Sequence, residues 1–314
     1  MLNTRLLYFY FFLIVFLFIQ GCQKDMPFPD CDLLGQTVVI DSLRSENKVL
    51  IIGIDGFRSD AMTQEITPFI YNFSERNTYK NLSHLTEEDT YSGPNWSSIL
   101  TGVHYNKHNV TDNSFNGSRF DLFPSFFNYL ECSLDSINTA SIVNWTPINK
   151  YILSADVDYS PDISINDALV YNKARDLLIN NDPIRADIIF LHFDELDAIG
   201  HAFGFSPDIP EYREVLSILD LYVDSLISII DNKRLSGEDW MCFLISDHGG
   251  DGHSHGDYSI SSIRETVFIV EHPFLDFKEN YRSNQTDIAP TIFDFIGISS
   301  PHFDCKKDGE SILE

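Results

Sequence analysis

The sequence has few basic residues. Its 314 residues include 21 Lys and Arg against 47 Asp and Glu, which gives a formal net charge of −26. A surface that binds a nucleic-acid backbone needs clustered Lys and Arg, so this class of function is excluded. An anionic substrate would therefore have to be held by something other than basic side chains.

Cysteine is scarce, and several catalytic motifs are missing. The five cysteines include no Cys-x-x-Cys pair, so a thiolate zinc site is not supported. A Walker loop and a His-Glu-x-x-His helix are both absent. The composition of 43% hydrophobic and 13% aromatic residues nevertheless allows a substantial core, so the chain is not a disordered acidic polymer.

One long hydrophobic run is present, at the start of the chain. Residues 6–19 are almost wholly apolar, follow Arg5, and lead into Gln20-Gly21-Cys22, which resembles the lipobox of bacterial lipoproteins. We therefore expect residues 1–21 to be a lipoprotein-type signal peptide and Cys22 to carry the lipid. A plain N-terminal anchor helix is the alternative. In either case the remainder would lie outside the cytoplasm, attached to the envelope of a bacterium (periplasm or outer membrane).

Four cysteines remain outside this segment, namely Cys31, Cys132, Cys242 and Cys305. An exported protein can form disulfides, and four cysteines allow three pairings. Cys242 lies inside an apolar run, where a buried thiol is an equally good interpretation.

The rest of the chain alternates short apolar runs with amphipathic stretches. Residues 22–45 are polar and contain Pro27 and Pro29, which is typical of a tether or an edge segment, and residues 46–314 are expected to form a single domain. Strands are predicted over residues 49–54, 186–193, 240–246 and 265–270, and helices over 163–179, 212–230, 286–295 and from Pro94 onward. This alternation predicts an α/β fold in which a mostly parallel central sheet is covered by helices on both faces, as a three-layer sandwich.

Acidic residues and histidines follow three of the predicted strands. They are Asp55, then Asp194, Asp197 and His201, then Asp247, His248, His253 and His255. The carboxyl ends of parallel strands meet at one edge of a sheet, so these side chains are expected to lie close together. Carboxylates and imidazoles suit Zn²⁺ or Mn²⁺, so the pattern predicts a metal site.

These residues resemble the motifs of the alkaline phosphatase superfamily, and within it the nucleotide pyrophosphatase/phosphodiesterase branch. Asp55-Gly56-Phe57-Arg58 is similar to the first metal motif, and Ser246-Asp247-His248-Gly249 matches a later one. Asp197-x-x-Gly200-His201-x-x-Gly204 is similar to the motif between them, although Leu196 replaces its usual proline. Residues 286–291 resemble a segment near the C-terminus of the superfamily, so the likeness covers most of residues 48–314.

The resemblance also implies a nucleophile. Ser92-Gly93-Pro94-Asn95 is similar to the nucleophile motif, with Ser where the branch usually has Thr, and Asn109 stands where a glycine is expected after His108. Ser92 would begin a helix, whose free N–H groups favour an anion. The family places an asparagine twenty-one residues after the nucleophile, in contact with a phosphate oxygen, and that position is Asn113. Thr90 is the alternative hydroxyl.

By the same resemblance, two divalent ions would be bound, with Zn²⁺ as the first expectation and Mn²⁺ as the alternative. One ion would be held by Asp55, Ser92, Asp247 and His248, and the other by Asp197, His201 and His255, with His253 as the alternative last ligand. Ser92 would attack phosphorus to give a phosphoryl- or nucleotidyl-serine, which water then hydrolyses. Two dications would balance three ligand carboxylates and a serine alkoxide, so the site would be near neutral on an acidic surface.

A near-neutral site predicts a small-molecule phosphodiester or nucleotide pyrophosphate as substrate. A phosphomonoesterase or phosphonate hydrolase is the alternative, but Arg58, the basic residue of the matched motifs, is expected to be structural. A sulfatase would need Arg where Trp96 stands, and a serine hydrolase elbow would need Gly where Thr90 stands. The alternative that is not an enzyme is a metal-binding envelope protein without hydrolytic activity.

Four aromatic residues lie near the motifs, namely Tyr91, Trp96, Phe115 and Phe205. Each could stack on a base, but aromatic residues are common in this chain. We therefore expect all four to belong to the core.

Overall fold

The computed structural model describes residues 38–314 apart from residues 45, 134–136, 155 and 162–165. The predicted signal peptide, the predicted lipidation site at Cys22 and the cysteine at position 31 lie outside the described residues. Within the described ranges, no helix has the length and hydropathy of a membrane span.

A six-stranded mixed sheet forms the centre of the fold. Its strands in chain order are β2 (Lys48–Ile54), β3 (Thr78–Leu85), β4 (Thr139–Val143), β5 (Ile188–Phe193), β6 (Trp240–Ile245) and β7 (Glu265–Glu271). The spatial order is β3-β7-β6-β2-β5-β4, in which β6, β2, β5 and β4 run parallel while β7 and β3 are antiparallel to their neighbours. A separate pair is formed by β1 (Val39–Ile40) and β8 (Ile298–Ser299).

The predicted strands are confirmed, and their burial explains why the sequence reveals them. Every residue of β2, β5 and β6 is buried, as expected for strands covered on both faces. Two strands of the central sheet escaped prediction: β3 mixes buried, half-buried and exposed residues without an apolar run, and β4 has only 5 residues. The two-residue strands β1 and β8 were also not predicted. The antiparallel direction of β7 was also not predicted, because an apolar run carries no direction.

Helices cover both faces of the sheet. They are α1 (Pro68–Ser74), α2 (Ser92–Thr101), α3 (Tyr105–His108), α4 (Phe126–Ser133), α5 (Asp167–Asn180), α6 (Glu195–Phe203), α7 (Pro210–Leu235), α8 (Ser261–Arg264), α9 (Ile288–Ile296) and α10 (Pro301–Asp304). Two hydrophobic clusters fill the space between the layers: Ile99 and Ile292 pack on one face, Val170 and Leu216 on the other. The predicted three-layer α/β sandwich is confirmed.

The cysteines are in different states. Cys242 on β6 is a fully buried thiol, as one of the two interpretations predicted. Cys132 is an exposed thiol. Cys305 is disulfide-bonded.

Candidate metal centre and active site

The carboxyl ends of three neighbouring strands bring the acidic residues together. Strand β2 lies between β5 and β6 with both pairs in parallel register, so the residues that follow them share one edge of the sheet. Asp55 follows β2, Asp194 follows β5, and Asp247 comes two residues after the end of β6. This edge is where open α/β sheets place their ligands.

Four side chains that were predicted to share one ion form a buried group, here called the deep site: Asp55, Ser92, Asp247 and His248. The Nε2 atom of His248 lies 3.3 Å from Asp55 Oδ1, 3.3 Å from Asp247 Oδ2 and 3.3 Å from Ser92 Oγ. All four donor groups therefore converge on one point behind the molecular surface.

The other three predicted ligands form a second group, here called the rim site: Asp197, His201 and His255. The Nε2 atom of His201 lies 3.1 Å from His255 Nε2 and 3.4 Å from Asp197 Oδ2. Asp197 and His201 are one turn apart on α6, which places them on the same face of the helix. The His201 side chain is 46% exposed, so this site opens to solvent.

Backbone carbonyls orient the histidines of both sites. The Nδ1 atoms of His248, His255 and His201 each lie 2.8–2.9 Å from a carbonyl oxygen, of Gly249, Thr90 and His253 respectively. Since a carbonyl only accepts, each Nδ1 carries the proton and each Nε2 presents a lone pair. In metal sites this arrangement is typical of ligating histidines.

Imidazole and carboxylate lone pairs consequently face one another in both sites. Asp55 Oδ1, Asp247 Oδ2 and Asp197 Oδ1 are buried without a hydrogen-bond partner. Buried oxygens of this kind are rare in native proteins and need an explanation. The donor set fits a pair of divalent cations, one in the deep site and one in the rim site.

The pKa values of these groups reflect the same excess of buried negative charge. Burial, reinforced by the neighbouring carboxylates, raises the pKa of Asp197 to about 8 and that of Asp247 well above its usual value. Burial raises the pKa of Asp55 to about 7, although hydrogen bonds to its carboxylate oppose this shift. Burial also lowers the pKa of His248 well below its usual value and that of His255 to about 4. A bound cation would stabilise the ionised carboxylates, which burial disfavours, and the neutral imidazoles, which burial already favours.

Ser92 is the first residue of α2, with Tyr91 extended before it. The adjacent Gly93 N–H donates to Asn113 Oδ1 over 2.7 Å, so the predicted phosphate contact lies beside the predicted nucleophile. Thr90, the alternative hydroxyl, is buried and donates to the carbonyl of His255. The structure thus brings Ser92, and not the Thr90 hydroxyl, to His248 Nε2.

His253, the alternative last ligand, lies outside this convergence. It is exposed, and its Nδ1 atom lies 3.1 Å from the His201 carbonyl. Residues 252–256 also have the Gly-x-Ser-x-Gly spacing of a hydrolase elbow, at Ser254. They form a turn closed by a bridge between Asp251 and Ser254, and not the strand-to-helix turn that such an elbow requires.

Three of the four aromatic residues belong to the core as predicted, because Trp96, Phe115 and Phe205 are at most 4% exposed. The prediction is wrong for Tyr91, which is 42% exposed and lies edge-on to the His255 ring at 5.8 Å between centroids. Arg58 is structural as predicted: its guanidinium binds Asp60 and the carbonyls of Phe205 and Gly250.

Buried polar residues that support the site were missed from the sequence. The Asp167 carboxylate accepts from Asp194 N–H at 2.9 Å and Glu195 N–H at 3.0 Å, at the start of the helix that carries two rim ligands. The amide of Gln285 donates to the Asp247 carbonyl over 2.8 Å. The motif residue nearest to Asp167 is more than twenty positions away, so local sequence carries no signal for its contacts. Gln285 directly precedes the matched residues 286–291, and that position was the available signal.

Comparison of the sequence with known protein families and proteins identifies its family. The model of the family described as type I phosphodiesterase / nucleotide pyrophosphatase matches residues 49–128 and 134–265. An uncharacterized pyrophosphatase/phosphodiesterase of Schizosaccharomyces pombe is 26% identical over 249 residues, which are 73% of this chain and 49% of that protein. Human bis(5'-adenosyl)-triphosphatase ENPP4 is 26% identical over 224 residues, which are 64% of this chain and 47% of that protein. The chain thus spans about half the length of these relatives.

Solved structures share the fold. Murine ectonucleotide pyrophosphatase / phosphodiesterase 5, solved in complex with AMP, has a TM-score of 0.62 at 15% identity and covers 85% of this chain and 100% of that one. The periplasmic domain of EptC from Escherichia coli, in complex with Zn, has a TM-score of 0.60 at 15% identity and covers 88% of this chain and 89% of that one. The family match extends over more than half of the sequence, and the chain belongs to the type I phosphodiesterase/nucleotide pyrophosphatase family.

Proposed function

We propose that this protein is a metal-dependent hydrolase that cleaves phosphodiester or nucleotide pyrophosphate bonds through a covalent intermediate on Ser92. The observation that carries the proposal is the convergence of the deep and rim sites on three buried carboxylate oxygens that lack hydrogen-bond partners. Membership of a family of phosphodiesterases and pyrophosphatases supports the reaction class.

The deep and rim sites would each hold one divalent ion, with Zn²⁺ as the first candidate and Mn²⁺ as the second. Their ligands are carboxylate oxygens and imidazole nitrogens, which both metals accept. When bound, such ions would neutralise the ligand carboxylates, lower the pKa of the Ser92 hydroxyl and stabilise charge on the phosphoryl oxygens.

The protein's own residues would supply position and the nucleophile. Ser92 Oγ forms a bond to phosphorus while the bond from phosphorus to the leaving oxygen breaks, and the serine proton is released. The N-terminus of α2 and the Asn113 amide would contact the phosphoryl oxygens. Water then forms its own bond to phosphorus, the Ser92 Oγ–phosphorus bond breaks, and the hydroxyl is restored. The net reaction consumes one water per bond cleaved.

A diester or pyrophosphate suits this site better than a monoester. Arg58, the basic residue of the matched motifs, is bound to Asp60 and to two carbonyls, so it does not meet a second anionic oxygen. The murine relative solved with AMP supports a nucleotide as one half of the substrate. A phosphomonoesterase or phosphonate hydrolase is the alternative.

Residues 46–314 would form the catalytic domain, and residues 22–45 would connect it to a lipidated Cys22 in a bacterial envelope. The lipobox-like sequence supports this location, as does the likeness to a periplasmic domain. Loss of membrane association in Cys22→Ser, measured by fractionation of cells, is the expected result. An unchanged distribution would refute lipid anchoring at this residue.

Steady-state rates on bis-aryl and mono-aryl phosphates, with and without a chelator, test the proposed reaction. We expect a higher kcat/KM for the diester and loss of activity on chelation, restored by Zn²⁺ or Mn²⁺. Equal or higher efficiency on the monoester would refute the diesterase assignment. Full activity after complete removal of metal would refute the metal-dependent mechanism.

A further inference from the structure

Asp55 is held by two N–H donors that act on the same oxygen. The indole Nε1–H of Trp96 donates to Asp55 Oδ2 over 3.0 Å, and His192 Nε2 lies 3.1 Å from that oxygen. The other oxygen, Oδ1, has no hydrogen-bond partner and faces His248 Nε2 at 3.3 Å. The two oxygens of one carboxylate are therefore in different environments.

The protonation of His192 follows from its second nitrogen. The backbone N–H of Trp145 is directed at His192 Nδ1 over 3.5 Å, so Nδ1 is the acceptor. The ring is fully buried. Nε2 therefore carries the proton and donates to Asp55, which is the opposite tautomer to that of the three histidines in the deep and rim sites.

Trp96 reaches Asp55 because β2 contains a glycine at the crossing point. A Cβ atom at Gly53 would lie 2.5 Å from the indole ring, which is far inside contact distance. The Trp96 and His192 rings also pack edge-on at 4.9 Å between centroids, with an interplanar angle of 78°. Both donors are thus fixed by packing and not only by the hydrogen bonds that they make.

This geometry argues against a further ion between Asp55, His192 and Asp194, which also form a group with metal-ligand spacing. The Oδ2 atom already accepts two N–H groups, and His192 Nε2 has a proton in place of a lone pair. A cation at that point would have to displace both donors.

We propose that Trp96 and His192 are positioning residues that restrict Asp55 to ligation through Oδ1 alone, which fixes the geometry of the deep site. This inference rests on the proposed function, because it assumes that an ion occupies the deep site. Partners that orient a ligand in this way typically change metal affinity by about 10- to 100-fold when they are removed.

The test compares variants that differ in the N–H donor. Trp96→Phe removes the indole N–H, and Trp240→Phe is its matched control, since Trp240 is equally buried but donates to Glu238 on a remote part of the fold. His192→Met removes the donor at the Nε2 position, whereas His192→Gln retains an amide N–H of similar reach. Metal-free protein is titrated with Zn²⁺ by calorimetry, and with Co²⁺ while the visible absorption is recorded.

We expect two binding steps in the unmodified protein, of which His201→Ala identifies the rim step. Trp96→Phe and His192→Met should weaken the deep step by about 10- to 100-fold and change its Co²⁺ spectrum, with the rim step unchanged. His192→Gln should recover most of the affinity, and Trp240→Phe should match the unmodified protein. Unchanged deep-step affinity in both donor-deleting variants, or equal weakening of both steps, would overturn the inference.

The same titration separates this inference from the proposed function. Two binding steps without hydrolysis of any diester would refute the proposed function. The inference would then still be judged by the affinity of the deep step in the variants. Fewer than two binding steps in the unmodified protein would refute both.

Discussion

The Phe205 ring lies between the two segments that carry the proposed rim ligands, and its contacts predict that one substitution changes the sign of its effect on stability. The ring is 1% exposed and fills a space between glycines. A Cβ atom at Gly200, on α6, would lie 2.3 Å from the ring, and one at Gly250, in the loop after β6, would lie 2.2 Å from it. The ring therefore packs the helix that carries two rim ligands against the loop that carries the third.

The expected magnitudes follow from this packing. Phe205→Ala removes a buried ring and should lower the free energy of unfolding by about 3–5 kcal/mol. Gly200→Ala alone should lower it by about 1–3 kcal/mol, because the added methyl group overlaps the ring. In the Phe205→Ala background the ring is gone, and the same Gly200→Ala change should raise the free energy of unfolding by up to about 1 kcal/mol through helix propensity.

Urea unfolding of the four proteins in this cycle, followed by fluorescence and measured without metal, gives the coupling energy. If the Phe205 ring excludes a side chain at position 200, the effect of Gly200→Ala on the free energy of unfolding must change sign between the two backgrounds. If Gly200→Ala stabilised the unmodified protein, or destabilised both backgrounds equally, the ring would not be what excludes a side chain at this position.

Three further predictions concern other buried contacts and the two proposed ion sites. His104 Nδ1 donates to the Glu87 carboxylate, and this hydrogen bond raises the pKa of His104. The contribution of this pair to stability is therefore complete below pH 6.5 and is lost as the pH rises through the raised value. His104→Gln should flatten the pH dependence of urea midpoints above pH 6.5, and an unaltered slope would contradict this. Asp167→Asn should lower the free energy of unfolding by about 1–3 kcal/mol, because the amide that replaces the carboxylate cannot accept from all three N–H groups that donate to Asp167. Asp176→Asn, at an exposed position, is the control. Equal effects of the two substitutions would refute a supporting role for Asp167. A chelator should remove the ion of the rim site before that of the deep site, since the rim site is open to solvent. Metal analysis during dialysis measures this order, and earlier loss of the deep-site ion would contradict the prediction.

The central strands were predictable because they are buried on both faces, which leaves apolar runs such as the one in β2. Strand β3 was not, since it lies at the edge of the sheet and its exposed face is polar. The direction of β7 was unpredictable for a different reason. An apolar run fits a parallel or an antiparallel neighbour equally, and only the chain's path decides between them.

The candidate ligands could be named from the sequence because they follow strand ends and match family motifs in order. Spacing alone could not separate Ser92 from Thr90 or His255 from His253, since each pair is two residues apart. The structure distinguishes their positions by the groups that each side chain contacts. The second N–H donor on Asp55 could not be foreseen, because His192 lies inside an apolar strand, 137 positions away along the chain.

Comparison of Ser92→Ala with Thr90→Ala, assayed on a bis-aryl phosphate with Zn²⁺ present, tests whether Ser92 is the nucleophile. Ser92 is predicted to attack phosphorus, so its replacement should lower kcat/KM by about 10³-fold or more. Thr90→Ala loses one hydrogen bond to the His255 carbonyl and should stay within about 10-fold of the unmodified enzyme. Near-normal activity in Ser92→Ala, or the larger loss in Thr90→Ala, would show that Ser92 is not the nucleophile.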